Sequence, residues 1–131
     1  MKNIQLIPLT DIPLIRPGDD LAGLIFSSSQ KIDLTLHNDD IVVIAQKIVS
    51  KAEGRFVRLA DVTPSAEAQE LAEITDKSPQ HVQVVLWDTA EIIRARKGVL
   101  IVQHKLGFIS ANAGVDHSNV SDEEDLLLRL R

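Results

Sequence analysis

Ile41-Val42-Val43-Ile44-Ala45-Gln46-Lys47-Ile48-Val49-Ser50-Lys51-Ala52-Glu53-Gly54-Arg55 is the stretch on which the fold of this chain turns. Five apolar residues leave the Asn38-Asp39-Asp40 turn without alternating, which predicts a strand buried on both faces near the middle of a sheet. Lys47 and Lys51 follow at once, with Gln46 and Ser50 as hydrogen-bonding side chains and Gly54 to reverse the chain. Open α/β sheets place ligands at the carboxyl ends of such strands, and two ammonium groups there suit a polyphosphate. A solvated lysine pair, with Glu53 and Arg55 in surface ion pairs worth about 0 to 1 kcal/mol, fits the same spacing equally well.

Composition narrows the classes. The 131 residues are 44% hydrophobic, enough for one domain with a real core. Fourteen Lys and Arg against 19 Asp and Glu give a net charge of −5, which argues against nucleic acid as a partner. The absence of cysteine excludes disulfides, thiolate metal sites and thiol nucleophiles, and is compatible with a reducing cytoplasm. Asp11 and two prolines interrupt the apolar segment from Ile4 to Ile15, so it resembles neither a signal sequence nor a membrane span. These features describe a soluble cytoplasmic protein with no membrane partner.

Outward from the central stretch, Ile4 to Leu9 reads as a short strand. Pro13 and Pro17 hold the next segment extended. Its apolar run Ile12-Pro13-Leu14-Ile15 either folds onto the core or lines the wall of a flat ligand such as a purine. Gly18-Asp19-Asp20 opens a helix with Leu21, Leu24 and Ile25 on one face, ended by Ser27-Ser28-Ser29. Phe56 to Ala60 reads as a strand, and Thr63-Pro64 as the start of a helix burying Ala68, Leu71 and Ala72. Ser78-Pro79 opens a longer helix carrying Val82, Val85, Leu86, Ile92 and Ile93, with Arg94, Arg96 and Lys97 in its last turn before Gly98. Val99 to Val102 and Phe108 to Ser110 form a hairpin around His104-Lys105-Leu106-Gly107. The sum is a mixed α/β (α+β) chain with a mixed sheet of about five or six strands and about three helices.

The hairpin delivers Asn112-Ala113-Gly114-Val115-Asp116-His117-Ser118-Asn119. Gly114 permits a tight turn, Asp116 is a hard oxygen ligand suited to Mg²⁺ or Mn²⁺, and Asn119 offers a donor and an acceptor. Asn, Asp, Ser and Gly also crowd into ordinary turns, the commoner explanation on spacing alone. His104 and His117 are each candidates for a metal ligand or a base, although neither has a second His at the spacing of a zinc site. No Walker A sequence, GxGxxG or nucleophile elbow occurs. An acidic run, 121–125, precedes Leu126-Leu127-Leu128, an apolar segment that needs a partner surface.

Four blocks in order carry a resemblance: Ile12-Pro13-Leu14-Ile15 with Gly18-Asp19-Asp20-Leu21, Ile48-Val49-Ser50-Lys51-Ala52-Glu53-Gly54-Arg55, Pro64-Ser65, and Asn112-Ala113-Gly114-Val115-Asp116 with Ser118-Asn119-Val120. Together they resemble the coenzyme F420-0:L-glutamate ligase family, with residues 1–131 corresponding to the N-terminal half of its catalytic domain. The resemblance implies a GTP-dependent ligase that joins L-glutamate to coenzyme F420-0 through an acyl phosphate, with Mg²⁺ or Mn²⁺ and a potassium ion. It also implies that this chain is part of a larger, intertwined homodimeric fold whose second half adds further metal ligands and a further nucleotide loop. By position, Ile12, Pro13, Leu14, Ile15, Gln46, Lys47, Lys51 and Asn119 would bind GTP, and Asp116 would bind metal. Relatives often carry a hydroxyl residue where Gln46 stands. Two alternatives remain: a non-catalytic fragment that dimerises through Leu126 to Leu130 or a sheet edge, and a ligase of the same mechanism acting on another carboxylate.

Overall fold

A computed structural model describes residues 3–117 and 126–129. The chain divides into two compact units, Met1–Gly54 and Arg55–Arg131.

The first unit is built on two helices, α1 (Leu21–Lys31) and α2 (Gln46–Ala52). Asp20 caps α1, its carboxylate accepting from Gly23 N at 3.1 Å. The loop before it is tied locally: Arg16 N donates to Asp19 Oδ2 at 2.7 Å and Gly18 N to the Ala52 carbonyl at 2.8 Å. Gly18 has φ +89°, a torsion that a β-carbon would strain. Helix α1 runs through the three serines instead of ending there. Ser28 Oγ donates to the Thr10 carbonyl at 2.6 Å and Ser29 Oγ to that of Phe26 at 2.8 Å, so both buried hydroxyls have acceptors while the helix continues.

Two predicted strands are not formed. Residues 4–9 and 41–45 lie outside regular structure, and Ile41 and Val43 are 87% and 88% exposed rather than central and buried. A strand is stable only against a partner, and none of the described segments pairs with either run. The lysine stretch after Ala45 is helical, because Gln, Lys and Ala are good helix formers. That makes four α-helices among the described residues rather than three.

The second unit holds the core. Strand β1 (Phe56–Arg58) leads through a 3₁₀ turn (Leu59–Asp61) to α3 (Ala66–Thr75) and α4 (Pro79–Trp87). Ser65, not Thr63, caps α3, accepting from Ala68 N at 3.2 Å, so Pro64 precedes the cap. Ser78 caps α4 with Pro79 in its first turn, as read. Strands β2 (Thr89–Arg96), β3 (Val99–His104) and β4 (Ile109–Ala111) form an antiparallel meander, and β5 (Leu126–Leu128) pairs antiparallel with β1. Both sheets are antiparallel throughout the described residues.

The long helix predicted from Ser78 to Gly98 is therefore two elements. Helix α4 stops at Trp87, and Thr89, Ile92 and Ile93, all β-branched, enter β2. Lys97 and Gly98 form the two-residue hairpin turn, with Gly98 at φ +74°. Arg94, Arg96 and Lys97 thus lie on an edge strand and its turn, not at a helix end, and Lys97 pairs with Asp76 at 3.4 Å.

Leu71, Val82, Val85, Leu100, Val102 and Leu127 close one apolar cluster. Leu127 and Leu128 are fully buried in this unit, so the chain itself covers these two leucines of the run. Leu127→Ala is expected to cost about 2 to 5 kcal/mol in urea denaturation, whereas Ile93→Ala, at a 47% exposed position, should stay within about 1 kcal/mol.

Candidate functional site

The β3–β4 hairpin carries the chain to a tight turn at Asn112–Gly114. Gly114, read as the turn residue, has φ +72°, but Asn112 (φ +53°) and Ala113 (φ +51°) are left-handed as well. The left-handed region costs roughly 1 to 2 kcal/mol for a residue with a β-carbon and is entered more readily by Asn than by Ala. Val115 N closes the turn on the Asn112 carbonyl at 2.8 Å. Ala113 and Val115 are buried in the core cluster. Asp116 follows, its backbone paired in both directions with Leu128 at 2.9 Å. Its side chain is half-buried. Asn119 lies outside the described residues. Among the described residues no group of three or more His, Asp or Glu side chains is placed to hold a metal.

In the first unit, Ile12, Pro13, Leu14, Ile15 and Lys51 line one groove of about 1170 Å³, walled mainly by aliphatic side chains. Ile15 is buried and Leu14 is 89% exposed, so the apolar loop both folds inward and presents an outer face. Lys47 and Lys51 lie one turn apart on α2, on the same side of the helix. Gln46 is the first residue of α2 and exposed. The structure thus brings five of the predicted nucleotide residues to one groove, while Gln46 and Lys47 stand on the adjoining helix.

A third cluster escaped the sequence. Asp88, at the end of α4, accepts from Arg129 Nε at 2.8 Å and from its Nη2 at 2.5 Å, and the guanidinium lies 5.6 Å from the Trp87 ring centroid. Forty-one residues separate the pair, and no local pattern links them. Burial alone would raise the Asp88 carboxyl, but the Arg129 hydrogen bonds and charge, aided by His104 and Arg55, outweigh it and hold the group below its usual range. His104 is buried, stacked on Phe108 with ring centroids 4.5 Å apart, and its Nδ1 accepts from Leu106 N at 3.0 Å. Those contacts tie it to the β3–β4 turn. Burial, then the charges of Lys77 and His117, lower the His81 pKa.

These directions fix the acid response. Asp88 is depressed in the fold, so its stabilisation is complete above its ordinary value of 3.8 and is lost as pH falls through the folded value. His81 is also depressed, so below its ordinary 6.5 the unfolded chain takes up the proton first and stability declines. Asp88→Asn is expected to cost about 1 to 3 kcal/mol at pH 7. That difference should shrink in denaturant titrations repeated near pH 3, where wild-type carboxyls approach protonation.

Residues 10–129 match the family described as F420-0:Gamma-glutamyl ligase. The chain is 44% identical over 119 residues to the coenzyme F420:L-glutamate ligase of Methanothermobacter thermautotrophicus, covering 91% of this chain and 47% of that protein. It is 39% identical over 122 residues to the enzyme of that name from Methanopyrus kandleri, covering 91% and 46%. With the one from Halorubrum lacusprofundi it shares 40% over 131 aligned positions, covering 95% and 50%. The chain spans about half the length of these curated relatives. Since the family match runs through the groove-lining loop, both lysines and the strained turn alike, the chain belongs to the F420-0:gamma-glutamyl ligase family.

Proposed function

We propose that this chain carries the nucleotide-binding part of a cytoplasmic, homodimeric, GTP-dependent ligase that adds L-glutamate to coenzyme F420-0 in F420 biosynthesis. The observation that carries the nucleotide reading is the convergence of Ile12, Pro13, Leu14, Ile15 and Lys51 on one groove. Family membership and the names of the relatives support the choice of substrates.

A carboxylate is a poor electrophile, because its leaving group would be an oxide. Transfer of the GTP γ-phosphoryl group to the F420-0 carboxylate gives an acyl phosphate and GDP, and attack by the glutamate amine then forms the amide and releases phosphate. In this reading the aliphatic loop 12–15 flanks the guanine, while Gln46, Lys47 and Lys51 meet the phosphate oxygens and Asn119 the nucleotide. Asp116 suits a divalent cation, Mg²⁺ or Mn²⁺, as one hard ligand on a backbone pinned by Leu128. Such an ion, when bound, offsets charge on the phosphate oxygens. No residue is assigned to the potassium ion.

A second reading, an interaction module without catalysis, draws on the exposed apolar side chains of the first unit, Ile4, Leu6, Ile41 and Val43. Calorimetry with GTP and Mn²⁺ separates the two. The ligase reading expects metal-dependent binding that weakens at least about tenfold in Lys51→Ala and in Asp116→Ala, as loss of one charge-assisted contact implies. Absence of nucleotide binding by the folded chain, with a dimer or larger mass on size exclusion, favours the module.

A further inference from the structure

Six residues with a β-carbon have positive φ among the described residues: Asp11, Asp33, Asp39, Asp76, Asn112 and Ala113. Five are Asp or Asn, the residue types that enter the left-handed region most readily after glycine. Ala113 is the one of the six without a polar side chain. Its methyl is fully buried in the core cluster beside Val115. Glycine would take this torsion without strain, so the methyl is what the position retains in exchange for the strain.

We infer that Ala113 is a positioning residue acting through Asp116: its buried methyl anchors the left-handed turn, and the turn sets the register in which Asp116 meets Leu128. This rests on the reading of Asp116 as a metal ligand. Only Gly114 and Val115 intervene. Val115 is held at both ends of this short lever, by its N–H on the Asn112 carbonyl and by its side chain in the core. Successive side chains in extended backbone alternate faces, so a slip of one residue would exchange Val115 and Asp116, exposing the valine and burying the carboxylate. The turn decides that parity, and hence where the carboxylate sits.

The test uses the whole chain, its Ala113→Gly and Asp116→Ala variants, and Leu71→Val as a core change in α3. Ala113→Gly removes a methyl and relieves a strained torsion, opposing effects that should leave the melting temperature within about 4 °C of wild type. Amide exchange at Asp116 and Leu128 should nevertheless rise by about tenfold or more, and calorimetric affinity for Mn²⁺ with GTP should fall by about fivefold or more. Leu71→Val should lower the melting temperature and leave both other readouts within about twofold. Unchanged exchange and affinity in Ala113→Gly overturn the inference, and so does an equal loss in Leu71→Val, the mark of a purely structural role. Binding in Asp116→Ala that equals wild type identifies the failure as that of the metal-ligand reading, and the positioning role falls with it.

Discussion

Leu128 stands between two backbones. It is the residue opposite Phe56 in the β1–β5 pair, and it exchanges both hydrogen bonds with Asp116. Buried peptide groups must be paired, and a three-residue strand flanked on both sides meets that demand over a very short length. The next residue extends the tie: Arg129 N donates to the Arg55 carbonyl while its guanidinium grips Asp88 at the end of α4. The 126–129 segment thus connects β1, the end of α4 and the candidate metal ligand, although these are far apart in the chain. Remove it, and both Asp116 and the core face covered by Leu127 lose their support.

The electrostatics at the end of α4 follow from the same tie. A carboxylate at a helix C-terminus faces the negative end of the helix dipole, so Asp88 is unfavourable there by itself. Arg129 reverses the balance with two charge-assisted bonds, and its contact with the Trp87 face places the cation over a π surface. Lys105 N donating to the Asp88 carbonyl at 2.8 Å joins the β3–β4 turn to the same point. One residue at a helix end thereby fixes a hairpin and a strand together.

What the sequence disclosed was local. A cap at the Asp19-Asp20 pair and one at Ser78-Pro79 were legible because a cap bonds to amides two or three residues away, and the β3–β4 hairpin was legible because its turn lies between two short apolar runs. Gly114 was legible for the same reason, whereas Ala113 was not, because alanine carries no signal for a left-handed torsion that only tertiary packing enforces. The α4–β2 boundary was missed because Ile92 and Ile93 continue the period of Val82, Val85 and Leu86 by coincidence. Exposure of Ile41 and Val43 could not be read either, since five apolar residues in a row specify burial only where another segment covers them.

The relocation of Lys47 and Lys51 from a strand end to a helix changes what they can bind. Four residues span about 13 Å along a strand, too far for two ammonium groups to share one polyphosphate without the chain folding back. On a helix the same interval is about 6 Å, comparable to the reach of neighbouring phosphate groups. The error in the predicted element therefore changes the distance between the two ammonium groups, not their order in the chain. The spacing alone was neutral between a solvated pair and a phosphate site. In the structure both lysines lie on one helical face, and Lys51 lines the same aliphatic groove as Ile12 to Ile15.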